Sequence, residues 1–180
     1  MKKSKYVLVL AMSIFLISLI VGFIYGINNK YDVSEYVKTI DKSFLLINHL
    51  LVILLFFFST ISLIGTLICG FYIGFEGVCI GYVISEFFNT YGFKGVMYSL
   101  INITINKVLF LVILFYLFVV CVKYAKKVIS NMVGISTDYL IYLLKPLIKK
   151  YALIILFIST YDILNYFFAY KVLRYFTFML

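Results

Sequence analysis

From Phe44 to Phe88 the chain runs through about 45 residues in which only Glu76 and Glu86 carry charge. Inside that run Gly70, Gly74, Gly77 and Gly81 recur at steps of four, three and four residues. At about 100° per residue the four glycines share one helical face, and Thr66 and Ser85 extend it in both directions. In water such a helix would be poor, because each glycine costs roughly 1 kcal/mol relative to alanine. In lipid the same pattern lets a second helix approach backbone to backbone. The expectation is a membrane protein in which these glycines are helix-packing residues.

Composition gives the class. Of 180 residues, 65% are apolar and 13% charged, with a mean hydropathy of +1.13. A soluble domain carries about 25% charged residues, so this chain could not cover its own surface in water. With the bilayer as solvent, backbone polar groups must be satisfied within helices, since the strand alternation of a barrel is absent. The fold class is therefore all-α, a polytopic transmembrane bundle forming one integral membrane domain over residues 1–180. The formal charge of +9 does not point to nucleic acid, because the cations cluster just outside apolar runs as the positive-inside rule places them. Lys123, Lys126, Lys127, Lys145, Lys149 and Lys150 crowd one segment whose only acid is Asp138. Cys69, Cys79 and Cys121 lie in apolar runs without CxxC spacing and read as small buried hydrophobes.

Five spans are predicted, at about 6–27, 45–67, 70–88, 108–122 and 151–170, with a basic connection at 123–150. The first is preceded by Lys2, Lys3 and Lys5, and is too long for a signal-peptide core, so it reads as an uncleaved anchor. An uncharged turn near Gly65–Gly70 joins the second and third spans, and Tyr91–Gly92–Phe93 forms the next turn. The apolar stretch from Gly95 to Val122 exceeds one span. It reads as a short, partly interfacial helix to Ile105 followed by a span from Val108, with a single tilted helix as the alternative. Val128, Ile129, Met132 and Val133 give the basic connection the pattern of an amphipathic interfacial helix. Pro146, the only proline, falls between spans, and Lys171 and Arg174 fall in a short tail. Charge places the N-terminus and the basic connection inside, the C-terminus outside, in a bacterial cytoplasmic membrane.

A few polar residues within these runs are candidates for chemistry. Glu76 points roughly 120° away from the glycine face. It reads either as a proton site or cation partner, or as a side chain near the cytoplasmic end of its span reaching the headgroups; the second is preferred. Glu86 reads as interfacial. Asn102, Asn106 and Lys107 could hydrogen-bond across helices and fix their register, or could mark the end of an interfacial helix with Lys107 snorkelling outward. Asp162, one turn from Asn165, is expected to face the bundle, with Lys107 as one partner to consider. His49, the only histidine, reads as a satisfied helix-end residue. No catalytic motif, P-loop, metal-ligand set or cofactor motif occurs, so catalytic, cofactor and metal residues are all expected to be none.

The stretch from Gly65 to Lys107, GTLICGFYIGFEGVCIGYVISEFFNTYGFKGVMYSLINITINK, resembles the core of the stage II sporulation protein M family. That family has a glycine-rich span, a turn ending in a Lys–Gly pair, here Lys94–Gly95, and a further apolar helix. The five-span layout and the C-terminal stretch Asn165–Tyr170 are also similar. Where members carry a Pro-x-Asn signature, this chain has Ile105–Asn106–Lys107, and its first outer loop is shorter. The resemblance implies a non-catalytic membrane scaffold that holds stage II sporulation proteins D and P at the septum during engulfment, where those partners cut peptidoglycan. Divergent short members are associated with circular bacteriocin production beside an ABC-type ATPase, in export, maturation or self-protection. Both readings imply membrane-protein partners and no cofactor.

Overall fold

The computed structural model describes residues 2–29, 46–60, 62–130 and 137–177. Its regular structure is helical throughout: α1 (Lys2–Asn28), α2 (Leu46–Ser59), α3 (Leu63–Asn106), α4 (Val108–Ser130) and α5 (Thr137–Thr177). Four of these helices are long and apolar enough to cross a membrane, and α2 is a shorter apolar helix. The chain is a helical, multi-pass membrane bundle.

The longest helix is a hairpin. Within α3, Gly92 takes φ 61° and ψ −142°, a conformation that side-chain-bearing residues rarely adopt. There the chain reverses, and residues 93–106 return along residues 76–91. Phe87 stacks near Tyr98 with ring centroids 5.3 Å apart, and Gly95 sits so close to Phe87 that a Cβ would lie 2.0 Å from its carbonyl oxygen. The expected turn at Tyr91–Gly92–Phe93 is thus where the chain folds. In the following helix Tyr98 and Ser99 are buried at 3% and 0% exposure. Their packing partner is the first arm of the same hairpin, which hydropathy alone cannot reveal.

At Lys107 the path breaks briefly, with φ −123° and ψ −30°, before α4 continues in the same direction. The Lys107 N–H still reaches the Ile103 carbonyl at 2.8 Å, and the Leu111 N–H reaches Lys107 at 2.9 Å. Residues 93–130 therefore run as one interrupted helix path, whereas the alternative from sequence is a single tilted helix. Cys69 opposite Cys121 and Gly70 opposite Phe118 continue the antiparallel register that Phe87 and Tyr98 begin.

The junction between α2 and α3 lies at Ser59–Ser62, ahead of the expected Gly65–Gly70 turn. Ser62 caps α3 by accepting from the Gly65 N–H. Gly65 is inside the helix, and a Cβ there would stand 2.0 Å from the Ser59 carbonyl oxygen, so this glycine serves close approach. As a consequence α2 has only 14 residues, or about 21 Å at 1.5 Å per residue, short of the ~30 Å hydrocarbon core. It runs antiparallel to α5: His49 meets Asp162, and Thr60 meets Tyr151.

One end of the bundle gathers the start of α1, the Ser59–Ser62 junction, the end of α4 and the start of α5. The other end holds the Gly92 turn and the last turns of α1 and α5. Lys123, Lys126 and Lys127 belong to α4, and Lys145, Lys149 and Lys150 to α5, so the basic connection is drawn from the ends of two long helices. Met132 and Val133 lie outside the described residues. Pro146 is inside α5, where it removes one backbone donor without ending the helix, so the expected position between spans is corrected. Lys171 and Arg174 likewise lie on α5 and not on a tail; Leu173 beside them is buried with Phe87 and Tyr98.

The glycine stripe faces α1, which runs parallel to residues 63–91. A Cβ at Gly77 would stand 2.7 Å from the Phe15 carbonyl oxygen, and one at Gly81 would stand 2.0 Å from that of Leu19. α1 answers with Gly22 and Gly26, packed against Val78 and Ser85. A Cβ at Gly74 would stand 3.1 Å from the Ser18 hydroxyl oxygen, whereas one at Gly70 would stand 3.7 Å from the Phe118 ring of α4, with room to spare. The four glycines thus divide between two neighbours. Asn89 completes the contact by donating to the Gly26 carbonyl at 3.1 Å, satisfying one acceptor at the end of α1.

Candidate functional site

The other face of α3 carries the polar residues. Glu76 lies 13 residues into the helix, about 20 Å from its start and about 24 Å before Gly92. That puts it near mid-bundle and corrects the expected position at a span end; the difference arises because α3 begins at Leu63, seven residues earlier than the predicted span. Glu76 is 5% exposed. Lys107 approaches its two carboxylate oxygens at 3.0 and 3.2 Å, and the Tyr72 hydroxyl donates to it at 2.8 Å. The partner of Lys107 is therefore Glu76 and not Asp162. Glu86 is buried at 2% exposure.

Asp162 faces the bundle, 4% exposed, and its partner is His49. The His49 Nδ1 stands 2.9 Å from Oδ2 and 3.0 Å from Oδ1, across 113 residues of chain. The imidazole stacks on Phe110 of α4 with centroids 3.9 Å apart and planes at 19°. Nδ1 faces a carboxylate, which only accepts, so Nδ1 carries the hydrogen and donates it. The opposite nitrogen, Nε2, is buried and has no hydrogen-bonding partner among the described residues.

A third group stabilises the break at Lys107. Interrupted helices expose carbonyls that need new donors. The Ile105 carbonyl accepts from the Tyr161 hydroxyl and from the Asn165 amide at 3.2 Å. The Asn165 amide also donates to Asn106 Oδ1 at 2.9 Å, and Asn106 donates to Asn102 Oδ1 at 2.6 Å. Asn106 and Lys107 thus bond across helices, while Asn102 accepts from Asn106 within its own helix. The polar residues of α5, Tyr161, Asp162 and Asn165, all point at this one level.

Between α2, α3 and Lys107 lies a cavity of about 300 Å³, lined by Asn48, His49, Tyr72, Glu76 and Lys107 with Leu51 and Val52. At ~30 Å³ per molecule it has room for several waters. Asn48 and Leu51 on its rim are exposed. Near the basic end, a second cluster places Cys69 Sγ 3.6 Å from Cys121 Sγ, with the Thr60 hydroxyl bonding Tyr151 at 2.8 Å. Among the described residues no three His, Cys, Asp or Glu side chains converge as a metal site.

Sequence reasoning singled out Glu76, Lys107 and Asp162, and missed His49 as a partner. A span-level rule would have found it: an acid inside a bundle needs a cation or donor, and His49 and Lys107 are the basic side chains within the apolar runs 44–88 and 95–122. Gly22 and Gly26 were missed too, although Ser18, Gly22 and Gly26 repeat at four-residue steps.

Fold and site together define a multi-pass helical membrane protein with a buried polar centre beside a mid-bundle cavity. Comparison with family models, with curated proteins and with solved structures finds no match to this chain.

Proposed function

We propose that the chain is a non-catalytic membrane subunit of an export, immunity or maturation system, acting beside a cytoplasmic ABC-type ATPase. In this reading it sits in the bacterial cytoplasmic membrane with its N-terminus inside and C-terminus outside. The observation that carries it is the gathering of His49, Glu76, Lys107 and Asp162 at one level, next to a cavity. Charged groups within a bilayer are expensive and are kept where polar species bind or pass. A passive scaffold needs none of them. The basic ends of α4 and α5 supply the face turned towards an ATPase.

The second reading is the hydrolase-assembling scaffold of the stage II sporulation protein M family. One observation favours it: the resembling stretch, Gly65 to Lys107, corresponds to a folded hairpin whose turn depends on Gly92 and Gly95. Against it, the glycine face that would receive partner helices is already covered by α1. Co-purification from native membranes decides between the two. Recovery of an ATPase without a wall hydrolase is expected, and a hydrolase recovered without an ATPase would sink the first reading.

A further inference from the structure

The polar centre holds one nitrogen that is left without a hydrogen-bond partner among the described residues. His49 is 2% exposed, lines the cavity and commits its Nδ1 to Asp162, while its Nε2 is buried and unbonded among the described residues. Among the described residues, the titratable and charged groups facing the ring come from three elements. Asp162 comes from α5, Glu76 and Tyr72 from α3, and Lys107 from the break before α4, while α4 itself contributes the apolar face of Phe110.

Charge balance makes the unfinished nitrogen informative. With a neutral imidazole, two carboxylates face a single ammonium, and the centre keeps one net negative charge in a low-dielectric setting. With an imidazolium it keeps none. An uncompensated charge buried in a bundle costs several kcal/mol, which favours a positive charge on the ring, while burial of the imidazole among apolar groups opposes it. The imidazole is the side chain whose ordinary range spans neutral pH, and Nε2 is the nitrogen that no described residue engages. The geometry points to His49 Nε2 as a proton-binding site of this bundle, loaded and unloaded through the cavity, with Asp162 as the positioning residue that fixes the ring and receives the Nδ1 hydrogen. The balance of the step is simple: one proton adds to the Nε2 lone pair from water in the cavity and leaves the same way.

The inference deepens the reading of the polar centre as the working part of the molecule. It makes no use of an ATPase, so its failure and the failure of that reading are separable.

His49 is the chain's only histidine, which gives a clean readout. The full-length chain, purified through a tag without histidine, is labelled with 15N-histidine and reconstituted in lipid nanodiscs for NMR. Between about pH 5 and 9, Nε2 is expected to pass from protonated to unprotonated while Nδ1 stays hydrogen-bonded. Asp162→Asn removes a negative neighbour and should move the midpoint down by at least about one pH unit. Lys107→Met removes a positive neighbour and should move it up. An Nε2 that keeps one state across the range in the unmodified chain would overturn the proposal, and needs no variant to fold. Equal midpoints in all folded forms would also overturn it. So would a signal that moves with added sodium or potassium at fixed pH, which would assign the cavity to a metal cation instead.

Discussion

Lys107 grips both carboxylate oxygens of Glu76, at 3.0 and 3.2 Å, at the point where the second arm of the α3 hairpin gives way to α4. The two residues are 31 apart in sequence, and the hairpin at Gly92 brings them level. The ion pair therefore closes the open side of the hairpin, and it holds the helix break at a fixed height. Glu76 is almost wholly shielded, at 7% side-chain exposure, while Lys107 keeps 32%.

Removing one partner leaves the other charge stranded. Lys107→Met and Glu76→Gln are each expected to lower stability by about 2 kcal/mol, below the 3–5 kcal/mol of fully buried pairs because Lys107 is partly exposed. The double variant should recover most of that loss, since it strands no charge. Unfolding by denaturing detergent in a double-mutant cycle measures this. Additive losses in the double variant would show that the two side chains do not stabilise one another.

The glycine stripe makes position-specific demands. At Gly81 even a methyl group would meet the Leu19 carbonyl oxygen at 2.0 Å, which is backbone and cannot swing away. At Gly70 the nearest neighbour is the Phe118 ring at 3.7 Å, an ordinary contact. Gly81→Ala should therefore displace α1, while Gly70→Ala should be neutral. Ser18→Cys with Gly74→Cys, in a chain whose native cysteines are replaced by alanine, supplies the reporter. Ser18 Oγ lies 3.1 Å from the Gly74 Cβ position, so the pair should crosslink on oxidation. Adding Gly81→Ala should suppress the crosslink and adding Gly70→Ala should not.

These residues also show how far the sequence could be read. Hydropathy and charge suffice for a helical membrane bundle, and a lone glycine between aromatics sufficed for the turn at Gly92. The junction at Ser59–Ser62 was hidden because glycine has two uses. Gly65 and Gly70 look like turn residues by solution rules, yet they sit within α3, where Gly65 lets the end of α2 pass close by. The partnership of His49 with Asp162 was hidden for a different reason. Separation by 113 residues leaves no local spacing to recognise, and the pairing depends on the antiparallel register of α2 and α5. Asp162 itself was legible as bundle-facing, because an acid in an apolar run has few alternatives.

Gly92 isolates a backbone effect from packing. A Cβ there would meet nothing within 4 Å, so no clash arises. Its φ of 61° with ψ of −142° is nevertheless unfavourable for any residue with a side chain. Gly92→Ala is expected to lower stability by about 1–3 kcal/mol through strain alone. The same denaturing-detergent titration applies. An unchanged midpoint would mean that the hairpin turn relaxes into another conformation at no cost.

The path from Lys94 to Lys126 supplies the sharpest test of topology. If residues 95–105 lay along the membrane surface, Lys107 would share the aqueous face of Lys94, and cysteines at both positions would react alike. In the bundle, residues 93–130 cross as one interrupted helix. Lys94 is exposed near the Gly92 end, Lys107 sits midway, and Lys126 is exposed at the basic end. Single cysteines at the three positions, in the chain without native cysteines, should therefore respond differently to a membrane-impermeant maleimide. Lys94→Cys should react from one side in intact cells. Lys126→Cys should react only after permeabilisation. Lys107→Cys should react slowly in both cases, because an apolar setting disfavours the thiolate that attacks the reagent. Fast labelling of Lys107→Cys from the same side as Lys94→Cys would put that segment back on the surface, and the Glu76 ion pair with it would have to be abandoned.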